Sequence, residues 1–296
     1  MVVVFATSNM HYEVPELGIV GRDFPSISLT GRKCELMCKH CYGKLLDNML
    51  GVSTPDGLVL LGDRLRSEGV SGVLLSGGCD RFGRVPFEGY LNAIKYLKSL
   101  GLKVFMHVGI VDDFRASLIR GLGIDAVLVD LVLHEGAIKE VLGLDDVEAY
   151  VRTLKTLKRF DIPVVPHIIV GLYRGSPSKE FEAVDILKEL TPNAAVFVIF
   201  TPYPGTPLES SDPPPPHYII RLLGYARRKL DDIPLTLGCM RPRGEEFDTV
   251  EVAAIKLGFD GISFPSIATL NYLVSNGIRF KVVHECCASI YEHVRH

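Results

Sequence analysis

Short runs of β-branched and other apolar residues alternate along this chain with longer stretches whose apolar positions recur every three or four residues. The runs at 26–29, 72–75, 103–107, 126–130, 164–170, 195–200, 235–238 and 261–264 are almost continuously apolar, as parallel strands buried on both faces must be. Between them, the stretch 86–100 places Phe87, Tyr90, Leu91, Ile94, Leu97 and Leu100 on one helical face. The stretch 146–160 repeats the pattern and opens on acids, which favour a helix N-terminus. Further helices fit 178–190, 217–230, 245–257 and 267–275.

Eight strands alternating with helices predict an α/β fold, a (β/α)8 TIM-type barrel. The rival is a doubly wound open sheet, but no G-x-G-x-x-G follows the first strand. Asp212 followed by four prolines reads as a stiff loop ahead of a helix, because a domain break there would orphan the last two strands. The chain is therefore divided into an N-terminal extension, 1–25, and one barrel domain, 26–296, that includes the C-terminal tail.

Composition narrows the class. Of 296 residues, 47% are apolar and 23% charged, the balance of a globular protein with a sizeable core rather than a disordered chain or a coiled coil. A net charge of −3 offers no basic field for nucleic acid. No apolar run reaches the roughly 18 residues of a membrane span, and the opening Met-Val-Val-Val-Phe-Ala is too short for a signal sequence. The expectation is a cytoplasmic protein acting on neither nucleic acid nor membrane. Trp and Gln are both absent, and a scarcity of thermolabile amides is compatible with a hot-living source.

Seven cysteines change the picture most. Cys34, Cys38 and Cys41 are spaced C-x3-C-x2-C directly after the first predicted strand. Clustering of this kind in a cytoplasmic chain indicates metal or redox chemistry rather than disulfides. Loops after strands form the catalytic face of a barrel, so an iron–sulfur site is expected at the carboxyl ends of the strands. Three thiolates can bind three irons of a cubane cluster and leave the fourth open to a chelating substrate. A closed zinc site would need a fourth ligand, His40 or a distant cysteine, and zinc motifs commonly use two C-x2-C pairs; no second pair is present.

This loop resembles the signature of the radical S-adenosylmethionine (SAM) superfamily. The resemblance implies a [4Fe–4S] cluster on Cys34, Cys38 and Cys41, with SAM bound to its unique iron and cleaved by one electron to methionine and a 5′-deoxyadenosyl radical. It also places Tyr42, beside Cys41, among the SAM-binding residues. One departure is His40, which stands where the superfamily usually has an aromatic. Ser76-Gly77-Gly78-Cys79, after the second strand, resembles the superfamily's Gly-Gly-Glu motif at the methionine amino group, with Cys79 in place of the acid. The fifth strand is similar to a degenerate G-x-I-x-G-x-x-E element: Ile169 and Gly171 match and are expected near adenine, while His167 and Arg174 depart. Asp130, ending the fourth strand, is expected at a ribose hydroxyl. The rigid loop Pro204-Gly205-Thr206-Pro207-Leu208 resembles that of the biotin-synthase-like branch.

Four cysteines remain. Cys79 and Cys239 follow the second and seventh strands, so both are expected at one rim, and Cys286 and Cys287 lie in a tail that can fold back over it. Their convergence would hold an auxiliary iron–sulfur cluster. Arg241 or Arg243 is placed to ligate a cluster or to hold a carboxylate of SAM or substrate. Across residues 26–289 the pattern is similar to the archaeal homologues of biotin synthase, which include one component of a two-enzyme lipoyl synthase. It lacks the separate N- and C-terminal cysteine elements of bacterial lipoyl synthase. The resemblance implies sulfur insertion from an auxiliary cluster into an unactivated C–H bond, most specifically on an octanoyl-lysine protein substrate. It also implies ferredoxin or a similar electron donor and a second radical SAM enzyme as partners. Two alternatives stand beside it: a biotin-synthase-like mutase or cofactor-assembly enzyme with a single cluster, and a zinc-stabilised binding protein without chemistry.

Overall fold

A computed structural model describes residues 1–8, 12–21 and 23–294. The strands, in chain order, are β1 (Val2–Phe5), β2 (Glu13–Val14), β3 (Ile19–Val20), β4 (Ser26–Ser28), β5 (Leu50–Gly51), β6 (Gly72–Ser76), β7 (Lys103–His107), β8 (Ala126–Asp130), β9 (Val164–Val170), β10 (Ala195–Ile199), β11 (Leu235–Leu237), β12 (Gly261–Ser263) and β13 (Phe280–Val283). β2 and β3 form a small antiparallel hairpin. The other eleven make one parallel sheet in the order β13-β1-β12-β11-β10-β9-β8-β7-β6-β4-β5. The eight expected strands are β4 and β6 to β12, consecutive in that order.

The sheet curls. Val3 and Phe5 of β1, Phe105 of β7, Leu128 of β8, Val165 of β9 and Val196 of β10 meet in a single buried cluster, although β1 and β7 are far apart in the sheet. Alternate residues face outward: Val127 and Val129 of β8 join a larger core that includes apolar helix residues such as Ile94, Leu154 and Leu222. This double burial explains the unbroken apolar runs. The result is a TIM-type half-barrel, with no ladder between the edge strands β5 and β13 among the described residues.

The helices are α1 (Pro55–Ser67), α2 (Leu91–Ser99), α3 (Asp113–Arg120), α4 (Ala149–Arg159), α5 (Glu180–Leu190), α6 (Pro216–Lys229), α7 (Glu245–Lys256), α8 (Ile267–Ser275) and α9 (Ile290–His293). The four-proline run ends by opening α6, with Pro216 in its first turn, where a missing N–H costs nothing. α1 and α3 are not among the expected helices. α1 carries Gly57 and Gly62, and glycine is a poor helix former. At Gly62 a Cβ would lie 2.3 Å from Leu97 of α2, so the glycine serves close helix packing. α3 is short, begins on the Asp112 cap and exposes Phe114, which blurs its periodicity.

Two terminal segments complete the interior. Within 1–25, read as an extension, Val2–Phe5 is a fully buried strand paired with both β12 and β13. Beyond β13 the tail turns into the curl of the sheet, where Cys286, Cys287, Ala288, Ser289 and Ile290 are all buried. It is fastened at Lys103, whose Nζ donates to Glu285 at 2.9 Å and to Glu292 at 2.6 Å. His293 Nε2 lies 3.0 Å from Glu285.

Candidate active site at the cysteine loop

The loop carrying Cys34, Cys38 and Cys41 leaves the carboxyl end of β4 and is tied down on two sides. The Glu35 and Leu36 amides donate to the Cys79 carbonyl at 2.8 and 3.2 Å, and the Lys39 amide donates to the Val141 carbonyl at 2.8 Å. Val141 belongs to a π-helical turn, Ala137–Leu142, after β8, a rare geometry that often marks functional sites. The loop reverses through Tyr42 and Gly43, at φ of 47° and 73°. Thr30 Oγ1 accepts from the Gly78 amide at 2.7 Å and donates to the Lys33 carbonyl at 2.9 Å.

Gly78 shows why this motif requires glycine. A Cβ there would sit 2.0 Å from the Lys33 carbonyl oxygen and 2.6 Å from Cys34 Cα. The close backbone approach expected from Gly77-Gly78 is therefore first an approach to the cysteine loop itself. Gly77 is also tight: a Cβ there would lie 3.1 Å from Thr30 Oγ1. Ser76 is buried and in register with Ser28 of β4. A cleft of about 290 Å3, bounded in part by Thr30, Lys33, Gly78, Cys79 and Asp80, opens against this packing.

The three loop thiols are half-buried and free. Cys38 and Cys41 share a hydrogen bond, which with His40 beside it brings the Cys41 thiol down to about 4 and drives Cys38 far up. The Nδ1 atom of His40 is buried without a hydrogen-bond partner. Among the described residues no three Cys, His, Asp or Glu side chains converge to hold a single ion. A closed zinc site needs such convergence, whereas a cubane takes each thiolate at a different corner. The loop, with its three thiols, its glycine cradle and its place at the mouth of the curl, fits a cluster.

A polar ring faces this loop from the strand ends. His107 ends β7 with Nε2 3.4 Å from Asp130 Oδ1 at the end of β8. The rings of His107 and His167 meet edge to face, their centroids 5.8 Å apart. Burial alone would raise the Asp130 carboxyl, but His107, His167 and His40 together hold it below its ordinary value. Tyr150 of α4 is buried beside Asp130, Cys38 and Cys79. Asp130 is thus one member of a polar cluster, and the sequence reading missed His107 and Tyr150. The available signal for His107 was a polar residue closing an otherwise apolar strand run.

Other expected residues are distributed unevenly. Tyr42 is exposed at the loop reversal. Ile169 is half-buried near the end of β9. Gly171, at φ 74°, lies under Pro214, 2.7 Å from where its Cβ would be, and its amide donates to Glu180 at 2.6 Å. Glu180 also accepts from Ser178 and from the Tyr218 hydroxyl, so this overlooked carboxylate shapes the turn after β9. Arg174 points to Glu140 at the surface, 3.2 Å away. Gly205 in the proline loop lies against Lys44 of the cysteine loop.

Two expectations need correction. Arg241, read with Arg243 as a ligand of a cluster or of a SAM or substrate carboxylate, is buried and committed to the scaffold. Its guanidinium donates to Glu251 at 2.6 and 2.8 Å, to the Gly238 carbonyl at 2.6 Å and to the Phe264 carbonyl at 2.9 Å. The four remaining cysteines also do not form one set. Cys79 stands with the loop: the charges of Cys34 and Cys41 bear on its thiol, which burial first pushes up to about 12. Cys239 instead faces Cys287, and burial followed by that neighbour raises it to about 11. Cys286 beside it and burial raise the Cys287 thiol, while His167 draws it down.

The architecture is that of TIM-type half-barrels with a cysteine loop at the carboxyl face. HydG, a maturase of the [FeFe]-hydrogenase, superposes over 99% of this chain and 66% of its own with a TM-score of 0.65 and 13% identity. Methylornithine synthase (PylB) covers 82% of this chain and 72% of its own, with a TM-score of 0.57 and 17% identity. In sequence, the chain is similar to biotin synthase from Sorangium cellulosum, 26% identical over 142 residues. That match spans 48% of this chain and 41% of the biotin synthase. No protein-family model matches. The structures establish the shared fold, and the sequence likeness supports the radical SAM superfamily that the cysteine loop resembles. Among the described residues no helix is long and apolar enough to cross a membrane.

Proposed function

We propose that this chain is a radical SAM enzyme that inserts sulfur into an unactivated C–H bond, acting on an octanoyl chain borne by a protein lysine in lipoyl cofactor assembly. The observation that carries the radical SAM part is the three-thiol loop at the carboxyl end of β4, seated on Gly78 and facing the polar ring. A [4Fe–4S] cluster with SAM supplies, when bound, reductive cleavage to methionine and a 5′-deoxyadenosyl radical. Cys34, Cys38 and Cys41 would hold it. Gly77 and Gly78 keep the backbone open beside Cys34. Asp130, held as a carboxylate by His107, His167 and His40, is suited to accept hydroxyl hydrogen bonds of a ribose. The tail packed into the curl keeps bulk water from the interior, as a radical reaction requires. A small one-electron donor protein of ferredoxin type would serve as partner.

Support for sulfur insertion comes from Cys239, Cys286 and Cys287 at the inner tail, with His167 beside them, as donors for a second cluster. A second reading, a single-cluster mutase or cofactor-assembly enzyme, is favoured by the separation of Cys79 from that set. The test is anaerobic reconstitution of the wild type and of a Cys34/Cys38/Cys41 triple Ala variant. Each loop variant, single or triple, should lose 5′-deoxyadenosine formation. About two to four irons per chain retained by the triple variant would mark the second cluster. Mass spectrometry of an octanoyl-lysine peptide should then show a gain of sulfur. Wild-type cleavage of SAM by any loop variant would overturn the site. An unchanged or isomerised substrate, with no iron on the triple variant, would establish the second reading.

A further inference from the structure

The Gly-Gly-acid pattern ends in this chain on a thiol, and the structure shows where that thiol stands. Gly78 packs on Cys34 so closely that a single added carbon would collide with it. The next carbonyl, that of Cys79, accepts two loop amides and lies 3.8 Å from Cys34 Sγ. The Cys79 thiol is half-buried and free; its neighbouring thiols are Cys34, Cys38 and Cys41. Asp80, next in the chain, is turned into its own loop, its Oδ1 accepting from the Phe82 and Arg84 amides, both at 2.9 Å. Residue 79 therefore stands against Cys34, on a segment that the Gly78 amide to Thr30 and the loop amides to the Cys79 carbonyl hold to the cysteine loop.

We infer that Cys79 is a fourth thiolate for the cluster of the cysteine loop, closing its unique iron until SAM displaces it. The inference rests on the radical SAM reading of Cys34, Cys38 and Cys41. The exchange balances without an oxidant or reductant. The iron–sulfur bond to Cys79 breaks, the SAM amino nitrogen and carboxylate oxygen bind, and the proton leaving the SAM ammonium is taken up by the departing thiolate. A four-thiolate cluster keeps its iron, whereas a three-thiolate cluster has one labile corner. The cost is a weaker apparent affinity for SAM, since only the opened form binds.

The test compares reconstituted wild type, Cys79→Ala and Cys79→Ser, all without SAM, under stoichiometric ferricyanide. The wild type should resist iron loss, and both variants should develop the electron paramagnetic resonance signal of a [3Fe–4S] cluster. SAM binding, followed separately by equilibrium dialysis, should tighten by about tenfold in both variants. Serine fills nearly the same volume without a thiolate, so a serine variant behaving as wild type would mean that packing alone is at stake and would overturn the assignment. Equal [3Fe–4S] yields in wild type and variants would overturn it as well. If none of the three proteins binds a cluster while all remain folded, the radical SAM reading falls and takes the inference with it.

Discussion

Arg241 and Glu251 show how far a single side chain can depart from its apparent role. In sequence, Arg241 stands in a Gly-Cys-Met-Arg-Pro-Arg-Gly loop after a strand, a natural place for an anion ligand. In the fold its partners are Gly238, three positions back, and Glu251 and Phe264, ten and twenty-three positions on. Glu251, 1% exposed, also accepts from the Ser266 amide and the Thr269 hydroxyl. Removing Arg241 leaves the buried Glu251 carboxylate only Arg243, 3.3 Å away, as its ionic partner, at a cost approaching the about 3–5 kcal/mol of breaking a buried pair outright. Arg241→Met is therefore expected to lower the melting temperature by roughly ten degrees, and a second change, Glu251→Leu, to restore most of it. A selective loss of SAM affinity at an unchanged melting temperature would return Arg241 to the cofactor. Cys34, Cys38 and Cys41 were legible because their meaning lies in spacing within one loop; that of Arg241 lies in long-range contacts.

At the scale of elements, the meeting of the β4 and β6 loops decides whether the cysteines are correctly posed. Gly78→Ala adds one carbon 2.0 Å from the Lys33 carbonyl oxygen, a backbone atom that cannot rotate away. The loop must shift by an ångström or so, and the Glu35, Leu36 and Gly78 hydrogen bonds must strain with it. The variant should keep its far-ultraviolet circular dichroism, because the sheet is untouched, yet retain less than half of the wild-type iron after reconstitution. Full iron content in Gly78→Ala would show that the loop is seated elsewhere. Element boundaries followed periodicity wherever a helix buries one clear stripe, as α4 and α6 do. They did not where glycine serves packing, as in α1, or where a strand is too brief to show a period, as in β5.

Across the whole molecule, the last turn of chain completes the interior. Lys103, Glu285, Glu292 and His293 clamp the tail into the curl. Burial would raise the Glu285 carboxyl, but hydrogen bonds from His293 and Lys103 hold it down at about 2. The sign follows from that depression. The clamp contributes fully above the ordinary glutamate value near 4.3 and is lost as pH falls from there toward about 2. Glu285→Gln should thus melt several degrees below the wild type at pH 6, with the gap closing as pH is lowered toward 2.5. A gap independent of pH would show that Glu285 acts through packing alone.

By itself the sequence determined the strand–helix alternation, the eight central strands and the spacing of the cysteine loop, because each rests on local periodicity or on spacing within a few residues. Tertiary structure alone decided that Val2–Phe5 is core rather than extension, that Arg241 is scaffold, and that Cys79 parts from Cys239 to stand with Cys34, Cys38 and Cys41. The expectation of one cysteine set treated strand ends as a single rim. In a curled sheet the end of β6 lies beside β4 and its loop, whereas β11 lies across the curl with the tail. Which thiols share a site therefore depends on strand order and curvature, which no run of neighbouring residues encodes.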